Sequence, residues 1–395
     1  MNPSFDLVTV GGGLGGSAFA AAMSRSGARV LVLEKESPFR DRVRGEFLVP
    51  WGVAEAQQLG VADALSRCGM AIPFVDMGFG PRNLVETTNP PLAGLSFFHP
   101  EMQEAALREA ERAGAEVRRG VAVTGLQAGP SPCVSVSSNG RDERIAARLV
   151  VAADGRTSTA RKWAGFTVDS DAHPFQFAGV LLTGVSARTD MCTFVFNAEF
   201  GLIGGLVPES EGRFRSYLGY PEGGAFRLQG AERLSAFFEQ SQKVGPMFKD
   251  CFAGAKSLGP LATFDGGYFW VKQPYRQGVA LIGEAAAVSD PSFGQGMALT
   301  LRDARVLRDA LLNDSDWDRA GQSYARQHDV YYQNTRAVCC WMRSLFQEQG
   351  PAADARRQKA MPRIMEDLSR VPDHLFGGPD LPMDETVRAR FFGDC

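Results

Sequence analysis

The chain has 395 residues, 44% of them hydrophobic and 22% charged, with a formal net charge of -3 at pH 7. That is ordinary for a globular enzyme and long enough to bury a large core; the mild acidity argues against a nucleic-acid partner, and no apolar run approaches a membrane span. Seven cysteines without a Cys-x-x-Cys pair, and only four histidines, point away from a disulfide framework or zinc site. They point toward a reduced, cytoplasmic protein, and Met1 to Asp6 shows no signal peptide.

Phe5 to Val10 is an apolar run feeding Gly11-Gly12-Gly13-Leu14-Gly15-Gly16, after which Ala18, Ala21 and Ala22 continue a helix closed by Gly27. A strand, a glycine turn and a helix in this order aim backbone N–H groups and the helix dipole at a pyrophosphate. Glycines at 11, 13 and 16 permit the tight turn, the close approach of the phosphate and the helix-on-sheet contact. Arg29 to Leu33 reads as the next strand. Glu34, 18 residues after Gly16, stands where an acid would accept both hydroxyls of an adenosine ribose. The competing account is a surface glycine turn with a solvated Glu, and the flanking strand and helix argue against it.

Lys35 to Pro50 is an arginine-rich loop, Val53 to Arg67 has helical periodicity, and Ala71 to Phe98 breaks into short β-like pieces. Pro100 to Ala113 is a helix with Met102, Ala106, Leu107 and Ala110 on one face. Strands follow at Glu116 to Leu126, Val134 to Ser138 and Ile145 to Ala153, the last ending in Asp154-Gly155. From Phe175 to Tyr275 the chain is β-rich and aromatic, with strands at Phe177 to Val185, Cys192 to Phe196, Leu202 to Val207 and Phe214 to Tyr220. One helix, Ala231 to Gln242, interrupts it. Its aromatics, among them Phe194, Phe196, Phe214, Tyr217, Tyr220, Phe264, Tyr268 and Trp270, suit a planar apolar substrate, although strand core accounts for most of them. Val279 to Ile282 is a strand, Gly283 to Gly296 a glycine-and-proline loop and Met297 to Leu312 a helix. The tail is mostly helical from 316 to 372 and loosens after Pro372. Gly201 to Gly205 lacks a following helix, so only one dinucleotide turn is visible.

Three separated motifs carry a family resemblance: Gly11 to Gly16 with Glu34; Asp154-Gly155-x-x-Ser158-x-x-Arg161; and Gly283-Glu284-Ala285-Ala286 followed by Pro291 and Gly294-Gln295-Gly296-Met297. In this order, each after a strand, they resemble the fingerprints of the flavoprotein aromatic hydroxylases typified by p-hydroxybenzoate hydroxylase, across residues 4 to 345. Two departures stand out. Glu284 replaces the usual Asp, and Ala287 stands where the family has a His.

The resemblance implies an α/β fold: a discontinuous Rossmann-like FAD-binding domain (1–71, 99–174 and 275–345), an inserted β-rich substrate domain (72–98 and 175–274) and a helical C-terminal region (346–395). It places FAD against Gly11, Gly13, Leu14, Gly15, Gly16, Glu34 and Lys35. Arg42, Arg44, His99, Val123, Asp154, Gly155 and Arg161 join them, with Gly283, Glu284, Pro291, Gly294, Gln295, Gly296 and Met297. The implied activity is FAD-dependent monooxygenation, hydroxylating or epoxidising an aromatic or polyketide-like molecule through a flavin C4a-hydroperoxide. O2 is the co-substrate, with NAD(P)H docking transiently or a separate flavin reductase supplying electrons. No catalytic base is named by the sequence, and the oligomeric state is not readable.

Rival readings on the same fold are a flavin-dependent halogenase, a reductase of isoprenoid double bonds and a non-catalytic flavin-binding protein. The first wants a Trp-x-Trp pair and a relay lysine between Lys35 and Lys162, and the chain has neither.

Overall fold

The strand Phe5–Val10 is apolar along its inner length because both of its faces are covered, as a central parallel strand requires. It pairs in parallel with Arg141–Ala152 on one side and Val30–Glu34 on the other. Glu116–Arg119 and Val279–Leu281 extend the sheet in parallel at its two ends, and Tyr275–Arg276 closes one edge antiparallel. Ala122–Gln127 and Cys133–Ser138 form an antiparallel meander with Arg141–Ala152. The computed structural model describes residues 5–43, 45–138, 141–171, 175–223, 228 and 232–395.

The helix Leu14–Arg25 is built from small residues, so it lies close against the sheet and under the helices His99–Arg112 and Gly296–Asn313. Met102, Ala106, Leu107 and Ala110 are the buried face of His99–Arg112, at the spacing the sequence predicts. The 30-residue helix Trp317–Phe346 packs on Gly296–Asn313 and fixes the adjoining loop by hydrogen bonds. The Tyr324 hydroxyl donates to Leu281 O at 2.6 Å, and that of Tyr332 to Val288 O at 3.1 Å.

A second sheet roofs the first. Its order is Lys256–Ser257, Phe175–Thr183, Arg213–Pro221, Leu202–Glu209, Met191–Asn197, Phe74–Asp76 and Arg82–Asn83, with Ala262–Asp265 also on Phe175–Thr183. Because side chains alternate along a strand, one face buries Ala178, Val180, Leu206, Leu218 and Tyr220 with Phe237 and Phe248. The other face turns toward the central sheet.

Two expectations change. The helix read over Val53 to Arg67 is two helices, Pro50–Gln58 and Ala62–Cys68, because Gly60 adopts φ 71° and ends the first. Beyond Pro372 the chain does not loosen: His374–Gly377 and Glu385–Phe392 are helical, and Leu375, Phe376 and Phe391 are buried. Those apolar side chains, too sparse for a periodicity signal, are held by the rest of the fold. The predicted helix start at Ala231 lies outside the described residues. All seven cysteines are free, and no described helix is long and apolar enough to cross a membrane.

Candidate functional site

One cavity of about 610 Å³ is walled by both sheets. The first glycine turn contributes Gly11, Gly13, Leu14 and Gly15. Glu34 and Lys35 come from the end of the second strand, Arg42 from the loop beyond it, and His99 and Val123 from further along. Asp154 and Gly155 join Gly283, Glu284, Pro291, Gly294, Gln295, Gly296 and Met297 on the same wall. Three motifs far apart in sequence therefore meet around one space. Of the residues read from the sequence, Gly16 and Arg161 are off this wall, and Arg44 lies outside the described residues.

Gly16 and Gly13 do different work. A Cβ on Gly16 would sit 2.0 Å from Gly11 O and 2.9 Å from Thr9 Cγ2, so this glycine is what lets helix and strand touch. A Cβ on Gly13 would meet nothing closer than Gln103 Nε2 at 3.4 Å; its bareness serves the cavity. Arg161 joins two motifs: its guanidinium donates to Ala285 O at 3.0 Å and Arg156 O at 3.1 Å and lies over the Phe269 ring.

The wall fits an adenine dinucleotide. Glu34 is buried, and its carboxylate accepts the Gly12 N–H at 2.7 Å on one oxygen and the Glu36 N–H at 2.7 Å on the other. Those bonds fix its orientation and leave lone pairs for a ribose diol. The helices Leu14–Arg25 and Gly296–Asn313 both begin at the cavity with no side-chain cap, so their first N–H groups are open to an anion.

Other predicted residues are committed within the protein. Asp154 accepts hydrogen bonds from Ser158 Oγ (2.5 Å), Thr159 N (2.9 Å) and Ala160 N (3.1 Å), which secures the turn and caps the short helix Thr159–Trp163. The Gln295 amide accepts from Trp51 Nε1 at 3.1 Å and donates to Phe293 O and Leu375 O, tying the tail to the loop. His99 Nδ1 is 2.9 Å from Gly45 O.

The roof supplies the rest of the wall: Phe177, Phe194, Ile203, Gly205, Val207, Tyr217, Gly219 and Phe264, with Phe47, Met77, Phe293, Leu375 and Phe376 around them. Phe177 and Phe264 stack at 5.6 Å. Of the aromatics singled out in sequence, Phe194, Tyr217 and Phe264 face the cavity, while Phe214 and Tyr220 are buried away from it.

One end of this apolar chamber is charged. The Tyr217 hydroxyl donates to Glu46 Oε2, and both residues line the cavity. Behind them Arg215 lies with Asp41, Glu46 and Glu209 around its guanidinium. Burial pushes Glu46 up to about 7 and Glu209 up to about 8, against the pull of Arg215. Burial, reinforced by Glu46, holds the Tyr217 hydroxyl well above its ordinary value. Sequence reading passed over Glu46, Arg215, Leu375 and Phe376 and left Tyr217 without a role. The available signal was the period-two run Arg213-Phe-Arg215-Ser-Tyr217, which puts charge on one face of a strand.

The FAD binding domain family model matches residues 4–339. The chain belongs to that family. Its relatives include a rifampicin monooxygenase of Streptomyces venezuelae, 28% identical over 89% of this chain and 74% of that protein. A digeranylgeranylglycerophospholipid reductase of Methanocella arvoryzae is 25% identical over 79% of each. The squalene monooxygenase of Mus musculus is 26% identical over 79% of this chain, which spans only 55% of that relative. Among solved structures, the p-nitrophenol 4-monooxygenase PnpA of Pseudomonas putida DLL-E4 superposes with a TM-score of 0.79 at 20% identity, covering 95% of this chain and 97% of that one.

Proposed function

We propose that this chain is an FAD-dependent monooxygenase acting on an aromatic or polyketide-like small molecule. One observation carries the reading: the dinucleotide cradle and an aromatic-walled chamber are a single cavity, so cofactor and substrate share one enclosure. FAD, once reduced, supplies the activation of O2 and the transfer of one oxygen atom. The net reaction is substrate–H + O2 + NAD(P)H + H⁺ giving substrate–OH + H2O + NAD(P)⁺, with a separate reductase as the other source of electrons.

The chain's own residues bind, orient and keep dry. Glu34 takes the adenosine ribose, and the Gly11–Gly15 turn with the start of Leu14–Arg25 takes the pyrophosphate. The loop from Gly283 to Met297 takes the flavin half, where the free N–H groups of Gly296–Asn313 favour negative charge on the reduced ring. Phe177, Phe194, Phe264, Phe293 and Phe376 exclude water from the place where oxygen is transferred.

A reductase of isoprenoid double bonds is the second reading, since such enzymes are among the relatives. The charged end formed by Glu46, Tyr217 and Arg215 ill suits an all-hydrocarbon chain and favours the first. Halogenation is disfavoured too, because the lysine on the wall, Lys35, sits at the adenosine end beside Glu34. The deciding experiment incubates the FAD-loaded protein with a reductant, labelled dioxygen and a panel of phenols and aromatic polyketides. Mass spectrometry should find one labelled oxygen in a product. Turnover that proceeds without oxygen would sink the reading.

A further inference from the structure

The roof strands carry bare backbone at four interior positions. Gly179 lies in Phe175–Thr183, Gly204 and Gly205 in Leu202–Glu209, and Gly219 in Arg213–Pro221. A glycine inside a strand weakens it and packs nothing, and it marks a bulge, a bend or the close approach of another group. None of the four has a positive φ, and the strand pairs run through them without a shift of register. What keeps a side chain off each is therefore the space in front of it.

For three of them the protein itself takes that space. A Cβ on Gly179 would sit 2.5 Å from Val43 Cγ1 and 2.9 Å from Tyr217 Cε1, and one on Gly219 would sit 2.8 Å from Phe177 Cε1. A Cβ on Gly204 would sit 2.7 Å from Phe248 Cζ, on the face turned away from the central sheet. Gly205 differs. It lines the cavity, and the nearest described atoms to its added Cβ are Phe194 Cδ1 and Tyr217 Cβ, both at 3.3 Å. A small shift of these neighbours would admit a methyl group, so packing among the described residues does not demand a glycine here.

Gly205 stands opposite Phe194 on one neighbouring strand and Tyr217 on the other. Phe194 packs against Phe47 with ring centroids 6.2 Å apart, and Tyr217 is held by its hydroxyl on Glu46. Two strand spacings, about 9.6 Å, separate the roots of these two side chains. A ring midway between them is about 4.8 Å from each root line, at the short end of the spacing that aromatic pairs adopt.

We propose that Gly205 sets the substrate specificity of the chamber: its bare backbone, between Phe194 and Tyr217, seats the edge of a flat aromatic ring. The proposal rests on the monooxygenase reading above and narrows its substrate class. A planar ring edge reaches the Gly205 backbone, whereas a puckered or branched one needs more width than the two flanking side chains leave. Any side chain at position 205 would occupy the seat.

The test measures binding of 2-naphthol and of its puckered counterpart decahydro-2-naphthol to the FAD-loaded protein by equilibrium dialysis. The unaltered protein should bind the flat ligand roughly tenfold more tightly than the puckered one. Gly205→Ala and the bulkier Gly205→Val should keep their FAD and their melting temperature, because either residue suits a strand better than glycine. Both should weaken 2-naphthol roughly tenfold and leave decahydro-2-naphthol nearly unchanged. Absence of 2-naphthol binding, no preference for the flat ligand, or a Gly205→Ala protein that binds it as well as the unaltered one would each overturn the proposal. So would a loss that falls equally on both ligands, or a lowered melting temperature in Gly205→Ala, which would make the glycine a packing requirement. Labelled-oxygen incorporation with a ligand preference that Gly205→Ala leaves intact removes the seat and leaves the monooxygenase standing. A preference that collapses in Gly205→Ala, with turnover that proceeds without oxygen, does the reverse.

Discussion

Asp303 Oδ2 accepts the Gly283 N–H at 2.7 Å, and its other oxygen accepts the Tyr331 hydroxyl. A buried carboxylate on one helix thereby ties Gly283, the first residue of the loop proposed to hold the flavin, to the next helix, with burial raising the Asp303 carboxyl above its usual range. Asp303→Ala leaves both donors dry and unpaired. It should cost roughly 2–4 kcal/mol by chemical denaturation and lower FAD content, although Asp303 does not itself line the cavity and reaches it only through Gly283. An unchanged melting temperature would refute this.

Gly16→Ala and Gly13→Ala should part company. The first drives a methyl group into Gly11 O and should cost about 3 kcal/mol or more, visible as a lowered melting temperature of the apoprotein. The second should leave that temperature nearly unmoved while weakening FAD retention at least roughly tenfold, measured by flavin fluorescence on release.

Glu34→Ala removes the acceptor of the Gly12 N–H and with it the carboxylate proposed to take the adenosine ribose. FAD affinity should fall by on the order of 10²-fold, near 3 kcal/mol, in equilibrium dialysis. Glu34→Gln, which still accepts hydrogen bonds, should fall less.

Asp154→Ala deletes a cap shared by Thr159 and Ala160 N–H groups. Its cost should be about 1 kcal/mol, with FAD retained. A colourless variant of normal stability would instead make Asp154 a direct cofactor ligand.

Stability should fall as pH rises from about 5 to 8. Glu46 and Glu209 hold their protons up to about 7 and about 8 in the folded chain but release them near the ordinary carboxylate value once unfolded. The folded state therefore binds more protons in that window, and raising pH favours the unfolded state by several kcal/mol. Melting curves across the window should show the slope, and Glu209→Gln should flatten it. A slope that survives the substitution would assign it to other groups.

The parts of the fold legible in sequence were those whose physics is local. Gly11 to Gly16 announces a turn because only glycine admits those contacts, and Met102, Ala106, Leu107 and Ala110 announce a buried helical face through their period. The break at Gly60 was legible too, had the glycine been weighed against the helical period. The charged end of the chamber was not. Glu46 sits in a loop and Arg215 in a strand 169 residues later, and nothing in either segment alone says that they meet. Leu375 and Phe376 escaped for the same reason: two apolar residues after a proline carry no pattern, and only the assembled fold gives them a wall to form.

That tail has a consequence for how the protein comes into being. Because the enclosure draws on both Gly11 and Phe376, a nascent polypeptide still on the ribosome lacks its closing panel until the segment carrying Phe376 has emerged. Flavin capture in its final, enclosed form therefore waits on the synthesis of that distant segment, whatever the order in which the other walls assemble.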